Sequence, residues 1–397
     1  MAVGEINRVA IGGGRGLATL IEADAQYEDK DNIAAVITTS DAGGDSKRWI
    51  RLLLGSLAWG DLRKAAGPLG TNPYFNRLKE YRFPKGSGKL KGLTVGEMLE
   101  RSYRANFGVN GGDYLRKISQ LEKHDHTLSS LMSFEFNGNC NGIDGEKLEG
   151  ACMGNVILVA LQAIHKDVNA VADNFQRLFA VRGRLIPVSL EPGTLVADIR
   201  KLDDPDYRKI LLGEDKLDDL SQDQDYDQNM WVYHLSHAKQ IPLNPRAKEY
   251  ILGAKRITLA AGSPYGSVIA PCLTEDFDFV LGQASGEGEI VVNIMGGPGE
   301  GFNLKTASSY LQEIKSYVPH FKVSRIFLND HTRYSDLPWY TRKRYAKTCQ
   351  FPIEADKTAC KEVYPEAEIL VLPLAATVPK HGWIGHDTSI LGYHLNH

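Results

Sequence analysis

The chain has 397 residues, 43% hydrophobic and 24% charged, enough for one large α/β domain with an insertion or for two ordinary domains. Its formal net charge of -3 excludes a general attraction to nucleic acid or anionic lipid, so an anion site has to be a local arrangement of backbone dipoles and a few Arg or Lys. Five widely spaced cysteines without a Cys-x-x-Cys pair, no apolar run of membrane-spanning length and no secretory pattern at the start predict a cytoplasmic protein with neither disulfide framework, zinc ribbon nor membrane insertion.

Val9, Ala10 and Ile11 form a short apolar run that ends in Gly12–Gly13–Gly14–Arg15–Gly16, after which Leu17, Leu20 and Ile21 recur at helical spacing. This is the pattern of a strand, a tight turn and a helix. Glycines let the backbone turn sharply and approach a ligand, and the helix start presents unpaired N–H groups to an anion. Arg15 would add a charge-assisted bond to phosphate. The pattern is not the dinucleotide fingerprint, because Leu17 stands at the third glycine position, and it lacks the Gly-Lys-Ser/Thr of a P-loop. Alone it fits a phosphate-binding turn and a ligand-free turn equally.

A second buried strand, Ile33 to Thr39, ends in Ser40–Asp41–Ala42–Gly43–Gly44–Asp45–Ser46, and Trp49, Leu52 and Leu53 restart a helical pattern. Two β–loop–α units in succession imply parallel strands. Asp41 and Asp45 flank Gly43 and Gly44 at the carboxyl end, the edge where open α/β sheets bind ligands. Carboxylates there suit Mg²⁺ bridged to a phosphate, with Asp41 as its ligand, and they equally suit a helix cap. Gly60–Asp61–Leu62–Arg63 places an acid and a base together, which by itself reads as a surface ion bridge.

The stretch from about Thr71 to Gly150 is richer in charge and holds helical patches, so it reads as a mostly helical insertion between residues 1–70 and 151–397. Gly154 to Ile164 is apolar nearly all round, a buried helix in which Asn155 either caps the start or reads a base edge. Asp203 to Asp227 reads as an exposed loop or hairpin. Continuous apolar runs at Arg256 to Ala260, Ile290 to Met295, Arg325 to Leu328 and Glu368 to Leu374 suit parallel strands covered on both faces. After the first of these, Ala261–Gly262–Ser263–Pro264–Tyr265–Gly266–Ser267 offers backbone N–H groups, two hydroxyls and a ring. The histidines, with His234 and His237 the nearest approach, lack metal spacing, and no nucleophile motif is present.

Taken in order, these segments, with Gly154–Asn155, Asn293–Ile294–Met295–Gly296–Gly297–Pro298–Gly299–Glu300 and a closing His386–Asp387, resemble the family that joins 2-phospho-L-lactate transferases, the CofD-like proteins, to the bacterial gluconeogenesis factors. The resemblance implies a three-layer, Rossmann-like α/β fold with a mostly parallel sheet and a helical insertion. It implies a nucleotide or nucleotide-sugar ligand, UDP-sugars in the gluconeogenesis branch, with a role in carbon metabolism or cell-wall regulation. The other branch implies an enzyme that moves a phospholactyl group from a nucleotide donor to a deazaflavin acceptor with Mg²⁺.

Carried onto this chain, the resemblance marks Gly12, Gly13, Gly14, Arg15, Gly16, Gly43, Gly44, Asp61, Arg63, Asn155, Gly262, Ser263, Tyr265, Ser267 and Asn293 as nucleotide-binding. Asp41 and Asp45 are the catalytic candidates, and Asp41 the Mg²⁺ ligand. Departures are Ala42, where the family has a second consecutive aspartate, Arg15, where threonine is usual, and Cys152–Met153, where the gluconeogenesis branch has serine and leucine. The binding reading is preferred over the transferase reading because Ala42 removes a carboxylate. Whether the chain forms a homo-oligomer is left open.

Overall fold

The computed structural model describes residues 6–40, 49–50, 53, 56–107, 126–137, 146–218, 230–297, 304–378 and 382–397. Within them a seven-stranded sheet is built from β1 (Arg8–Gly12), β2 (Ile33–Ile37), β3 (Arg184–Pro187), β4 (Arg256–Leu259), β5 (Glu287–Val291), β6 (Val323–Asn329) and β7 (Glu368–Leu372). Their order is β7-β6-β5-β4-β1-β2-β3, and every neighbouring pair is parallel. Every residue of β1 and β2 is buried. Because side chains alternate along a strand, Val9, Ile11, Ala34 and Val36 enter one core, and Ala10, Ile33, Ala35 and Ile37 enter the other. A sheet apolar on both faces needs helices on both, which gives the three layers.

One helical layer contains α1 (Gly14–Asp24), α2 (Gly60–Leu69), α3 (Pro73–Glu80), α4 (Val95–Phe107), α5 (His126–Ser133), α6 (Met153–His165) and α7 (Val168–Leu178). The opposite layer includes α8 (Pro245–Gly253) and α9 (Ala307–Tyr317). Beyond them come α10 (Trp339–Lys347) and α11 (Thr388–Asn396), the latter packed on α1. From the stretch read as an insertion, α3, α4 and α5 pack on α6, and their apolar residues join the core of α1 and α2. With neighbours on its outer flank as well, α6 is buried without a break from Met153 to Leu161, so its all-round apolarity follows. Asn72 starts α3 by accepting from the N–H groups of Tyr74 and Phe75, with Pro73 at the first helical position.

Two features go beyond the sequence reading. The edge strand β3 is only Arg184–Pro187. The aspartate-rich stretch contributes a strand, Arg208–Leu212, to an antiparallel sheet with Leu195–Lys201 at its centre and Met230–His237 on the far side. No helix among the described residues is long and apolar enough to cross a membrane.

A buried charge network braces the frame. Glu289 of β5, fully buried, accepts from Thr258 Oγ1 at 2.7 Å, Arg325 Nε at 3.1 Å and Arg8 Nη1 at 3.3 Å. Arg8 also lies 3.2 Å from Asp24 at the end of α1. Burial raises the Asp24 pKa to about 7, against the pull of Arg8. Both arginines donate to the last carbonyls of α11, Arg325 to His394 and Leu395 at 2.9 Å and Arg8 to Leu395, where cations also complement the helix dipole. Removing the central carboxylate leaves two guanidinium groups facing each other in a dry site. Glu289→Gln is therefore expected to destabilise the protein by about 3–5 kcal/mol in urea unfolding, and a loss under about 1 kcal/mol would show that the network contributes little.

Candidate functional site

At the carboxyl edge of the sheet the turn after β1 meets the turn after β4. The chain leaves β1 first toward β2 and returns on the other side of β1 to β4, so this is the switch point at which open α/β sheets bind ligands. Gly14 takes a left-handed φ of +63°, and Gly12 a φ of +151°, so the turn needs glycine at both. A β-carbon on Gly16 would overlap the carbonyl of Ala261, and one on Gly14 would stand 3.1 Å from Ser267 Oγ. Two predicted loops, distant in sequence, are thus in contact through backbone. Tyr310 of α9 donates to the Gly262 carbonyl at 3.1 Å and fixes the second loop from below.

Asp61, at the start of α2, closes the first turn from the other side. It is buried and accepts from the Gly14 N–H at 2.7 Å and from Lys64 Nζ at 2.8 Å. Of the four N–H groups that a helix start leaves without intrahelical partners, a carboxylate of the protein already holds one. Gly13 has no room for a side chain because Asp61 and Thr38 fill that space.

The surface ion bridge expected for Asp61 and Arg63 is overturned, since both are buried, at 1% and 4% exposure. Arg63 donates to Asn155 Oδ1 at 3.0 Å and pairs with Glu80. Buried Lys79 donates to the Arg63 carbonyl at 3.2 Å and to Glu80 Oε1 at 2.7 Å. Burial lowers the Lys79 pKa; it works against the Glu80 carboxylate, but Arg63 and Lys79 outweigh it and hold that pKa low. Asn155 does not cap α6, whose N-cap position is Cys152. Gly154 has no side chain because Arg63 lies across the helix start. The sequence reading missed Lys79 and Glu80, for which the only cue is that a glycine opens an otherwise apolar helix.

Ser263 opens one turn of π-helix, Pro264–Ile269, in which the Tyr265 ring is fully buried. Burial raises the Tyr265 hydroxyl well above its ordinary value and Glu313, beside it, to about 7. Tyr265 thus anchors the turn in the core, and the turn carries Ser267 within it and Ser263 just before its start. Asn293, after β5, donates to the Met295 carbonyl at 2.9 Å and accepts from the Ile294 N–H at 3.0 Å, shaping its own turn. Arg15 is exposed and lies over the ring of Trp383, a residue the sequence reading did not single out.

Asp41, Gly43, Gly44 and Asp45 lie outside the described residues, as does Pro298–Gly299–Glu300. Just before them, Ser40 Oγ is 2.8 Å from His237 Nε2. His234 instead stacks on Tyr317, so the two histidines serve different partners. Among the described residues no group of three or more His, Cys, Asp or Glu side chains is placed to hold a metal. His386 is buried, with Nε2 3.2 Å from the Val292 carbonyl, and Asp387 caps α11.

Burial pushes both His237 and His386 down to about 4 from 6.5, so both are neutral at pH 7. A histidine whose folded pKa is depressed contributes stability that is complete above its unfolded pKa and is lost as pH falls through the folded one. His386→Gln keeps a donor for the Val292 carbonyl but cannot titrate. Its unfolding free energy is expected to lose roughly 3 kcal/mol less than the wild type's as pH falls from about 6.5 to 4. Parallel stability curves for the two proteins would show that His386 is charged in the fold.

A sequence model of the family described as 2-phospho-L-lactate transferase CofD matches residues 9–368. Among relatives that carry the provisional name gluconeogenesis factor, one from Thermoanaerobacterium thermosulfurigenes is 23% identical over 391 residues, 96% of this chain and 92% of that protein. Another, from Deinococcus radiodurans, is 25% identical over 296 residues, 74% of this chain and 47% of that protein, so the chain spans about half of that relative's length. In fold, the chain is similar to the crystal structure of a UPF0052 family member from Bacillus halodurans, with TM-score 0.70, 19% identity and coverage of 98% of this chain and 99% of that one. The family match runs through both contacting turns, from β1 into β7, and the chain belongs to the CofD family.

Proposed function

We propose that the protein binds a nucleotide diphosphate or nucleotide sugar at the meeting point of the two turns and acts in carbon metabolism, as the name of its gluconeogenesis-factor relatives suggests, or in cell-wall regulation, as the family resemblance implies. The observation that carries this reading is the contact between the glycine turn after β1 and the turn after β4 at the switch point. Backbone without side chains lines that place, the start of α1 points its dipole there, and Ser263 and Ser267 add hydroxyls. Asp61 takes the N–H of Gly14 and so holds the turn open in one shape, a positioning role. Arg63, bonded to Asn155 and Glu80, supports α2 beneath the site, and Tyr265 supports the second turn.

A second reading, that the chain is a transferase of a phosphorus-containing group, is favoured by the description of the family itself. In that reading Mg²⁺ would neutralise charge on the diphosphate. Asp61, held by Gly14 and Lys64, is poorly suited to ligate it, and the candidate ligand stays Asp41, alone or with Asp45.

Gly14→Val places a branched side chain at a left-handed position and in the space a phosphate would take. It is expected to weaken the affinity for UDP-sugars, read by calorimetric titration, by at least about tenfold, with a stability loss of only about 1–2 kcal/mol. Unchanged affinity would make the turn purely structural. Asp41→Asn separates the two readings: incubation with Mg²⁺, UDP-sugars or nucleotide-activated phospholactate and a deazaflavin acceptor is expected to give no multiple turnover in either protein. Turnover by the wild type that Asp41→Asn abolishes would establish the transferase.

A further inference from the structure

Two guanidinium groups from distant parts of the chain converge on one indole beside the glycine turn. Arg15, in the first turn of α1, lies over the ring of Trp383 at 3.1 Å from its centroid, and Arg344 of α10 lies over the same ring at 5.2 Å. Trp383 begins the second strand of the hairpin Ala375–Val378 and Trp383–His386. That hairpin is tied to α10 by the Ile384 N–H, which donates to Tyr345 Oη at 2.8 Å, and α1 packs against its second strand. The three side chains therefore sit on elements held in register with one another.

Among the described residues Arg15 has no ion-pair partner. Burial lowers its pKa; Tyr345 opposes this and the charge of Arg344 adds to it. Two like charges brought to one ring, partly out of water, repel each other. An anion between them would replace that repulsion with two charge-assisted forks, and the indole face would hold the guanidinium planes flat. Next to this pair, α10 continues the same chemistry. Trp339 and Tyr340 are 67% and 53% exposed and, with Lys343, Arg344 and Lys347, border a shallow depression of about 460 Å³. No acidic residue occurs in α10. Exposed aromatic faces among cations suit a sugar ring that carries a negative group.

Resting on the reading that a diphosphate occupies the glycine turn, we propose that Arg15 and Arg344, levelled on Trp383, form a second anion site for the carboxylate of an acidic sugar attached to that diphosphate, with the depression along α10 receiving the sugar. Arg15 follows Gly14 directly in the chain, which puts the first of the two guanidinium groups next to the glycine turn.

The test is calorimetric titration of the wild type and of Arg344→Gln with UDP, UDP-glucose and UDP-glucuronate, together with thermal unfolding of both, and of Arg15→Gln, in sodium sulfate. The wild type is expected to bind UDP-glucuronate at least about tenfold more tightly than UDP-glucose. Arg344→Gln is expected to erase that preference and to leave the affinity for UDP within about twofold. Equal affinity of the wild type for the two sugars, or an undiminished preference in Arg344→Gln, overturns the proposal. If no nucleotide binds at all, the diphosphate reading fails by itself, and the anion site is decided by sulfate. Stabilisation of the wild type that each variant loses supports the site; no stabilisation, or the same stabilisation in all three proteins, overturns it.

Discussion

Gly16 lies so close under the Ala261 carbonyl that no side chain fits between them, and Gly392 of α11 likewise has no room for a β-carbon against the Ala23 carbonyl at the other end of α1. The first helix is therefore held near both termini by contacts that only a missing β-carbon permits. Adjacent strands stand about 4.8 Å apart, so a helix leaving β1 can shift or rotate only by pushing the end of β4 aside. Because it cannot, Gly14 faces Ser267 and Gly262 faces the Gly13 carbonyl at fixed spacing. A floor of main-chain polar groups has this advantage for an anion: it is set in place before the ligand arrives, and little ordering remains to be done on binding.

The opposite edge of the sheet is organised by charge. Arg8, Glu289 and Arg325 sit on three different strands, and the two arginines, held together by Glu289, donate to the terminal carbonyls of α11, so the last helix of the chain is fastened across the start of β1. That fastening is what presses Gly392 onto α1. The buried network at the amino edge and the glycine contact at the carboxyl edge thus act on the same helix, one through α11 and the other through β4. Both hold α1 at the angle the turn requires.

Much of this frame was legible because continuous apolar runs such as Val9–Ile11 and the one within Ile33–Thr39 are what doubly covered parallel strands demand, and they lie where β1 and β2 are found. The glycine turn and the Ala261–Ser267 turn were legible as loops after strands, but their contact was not, since nothing in either segment encodes which strands become neighbours. Charged residues misled more. Asp61, Arg63 and Lys79 are of types that normally stay in water, and Pro73–Glu80 looks like a solvated helix, yet Lys79 is 1% exposed because Glu80 and the Arg63 carbonyl replace its hydration. The Tyr265 ring shows the opposite placement: it stands in a polar loop of the sequence, yet it is fully buried in the core. Arg344 and Trp383 carried no local signal, because each matters only through the other and through Arg15.

These placements divide the cations of the carboxyl edge into two sets. Arg63 and Lys79 are buried among Asn155, Glu80 and main-chain oxygen, and their charge is largely compensated inside the protein. Asp61 adds a fixed negative charge directly beneath Gly14, compensated by half-exposed Lys64. An anion approaching the turn therefore meets little net attraction from the α2 side. On the α10 side Arg15 is exposed, with Arg344 on the same indole and Lys343 and Lys347 at the rim of the depression. Among the described residues more of the exposed cations lie on the α10 side of the turn than on the α2 side. In the proposed reading, an extended ligand with its diphosphate at Gly14 would thereby be given one direction in which to lie.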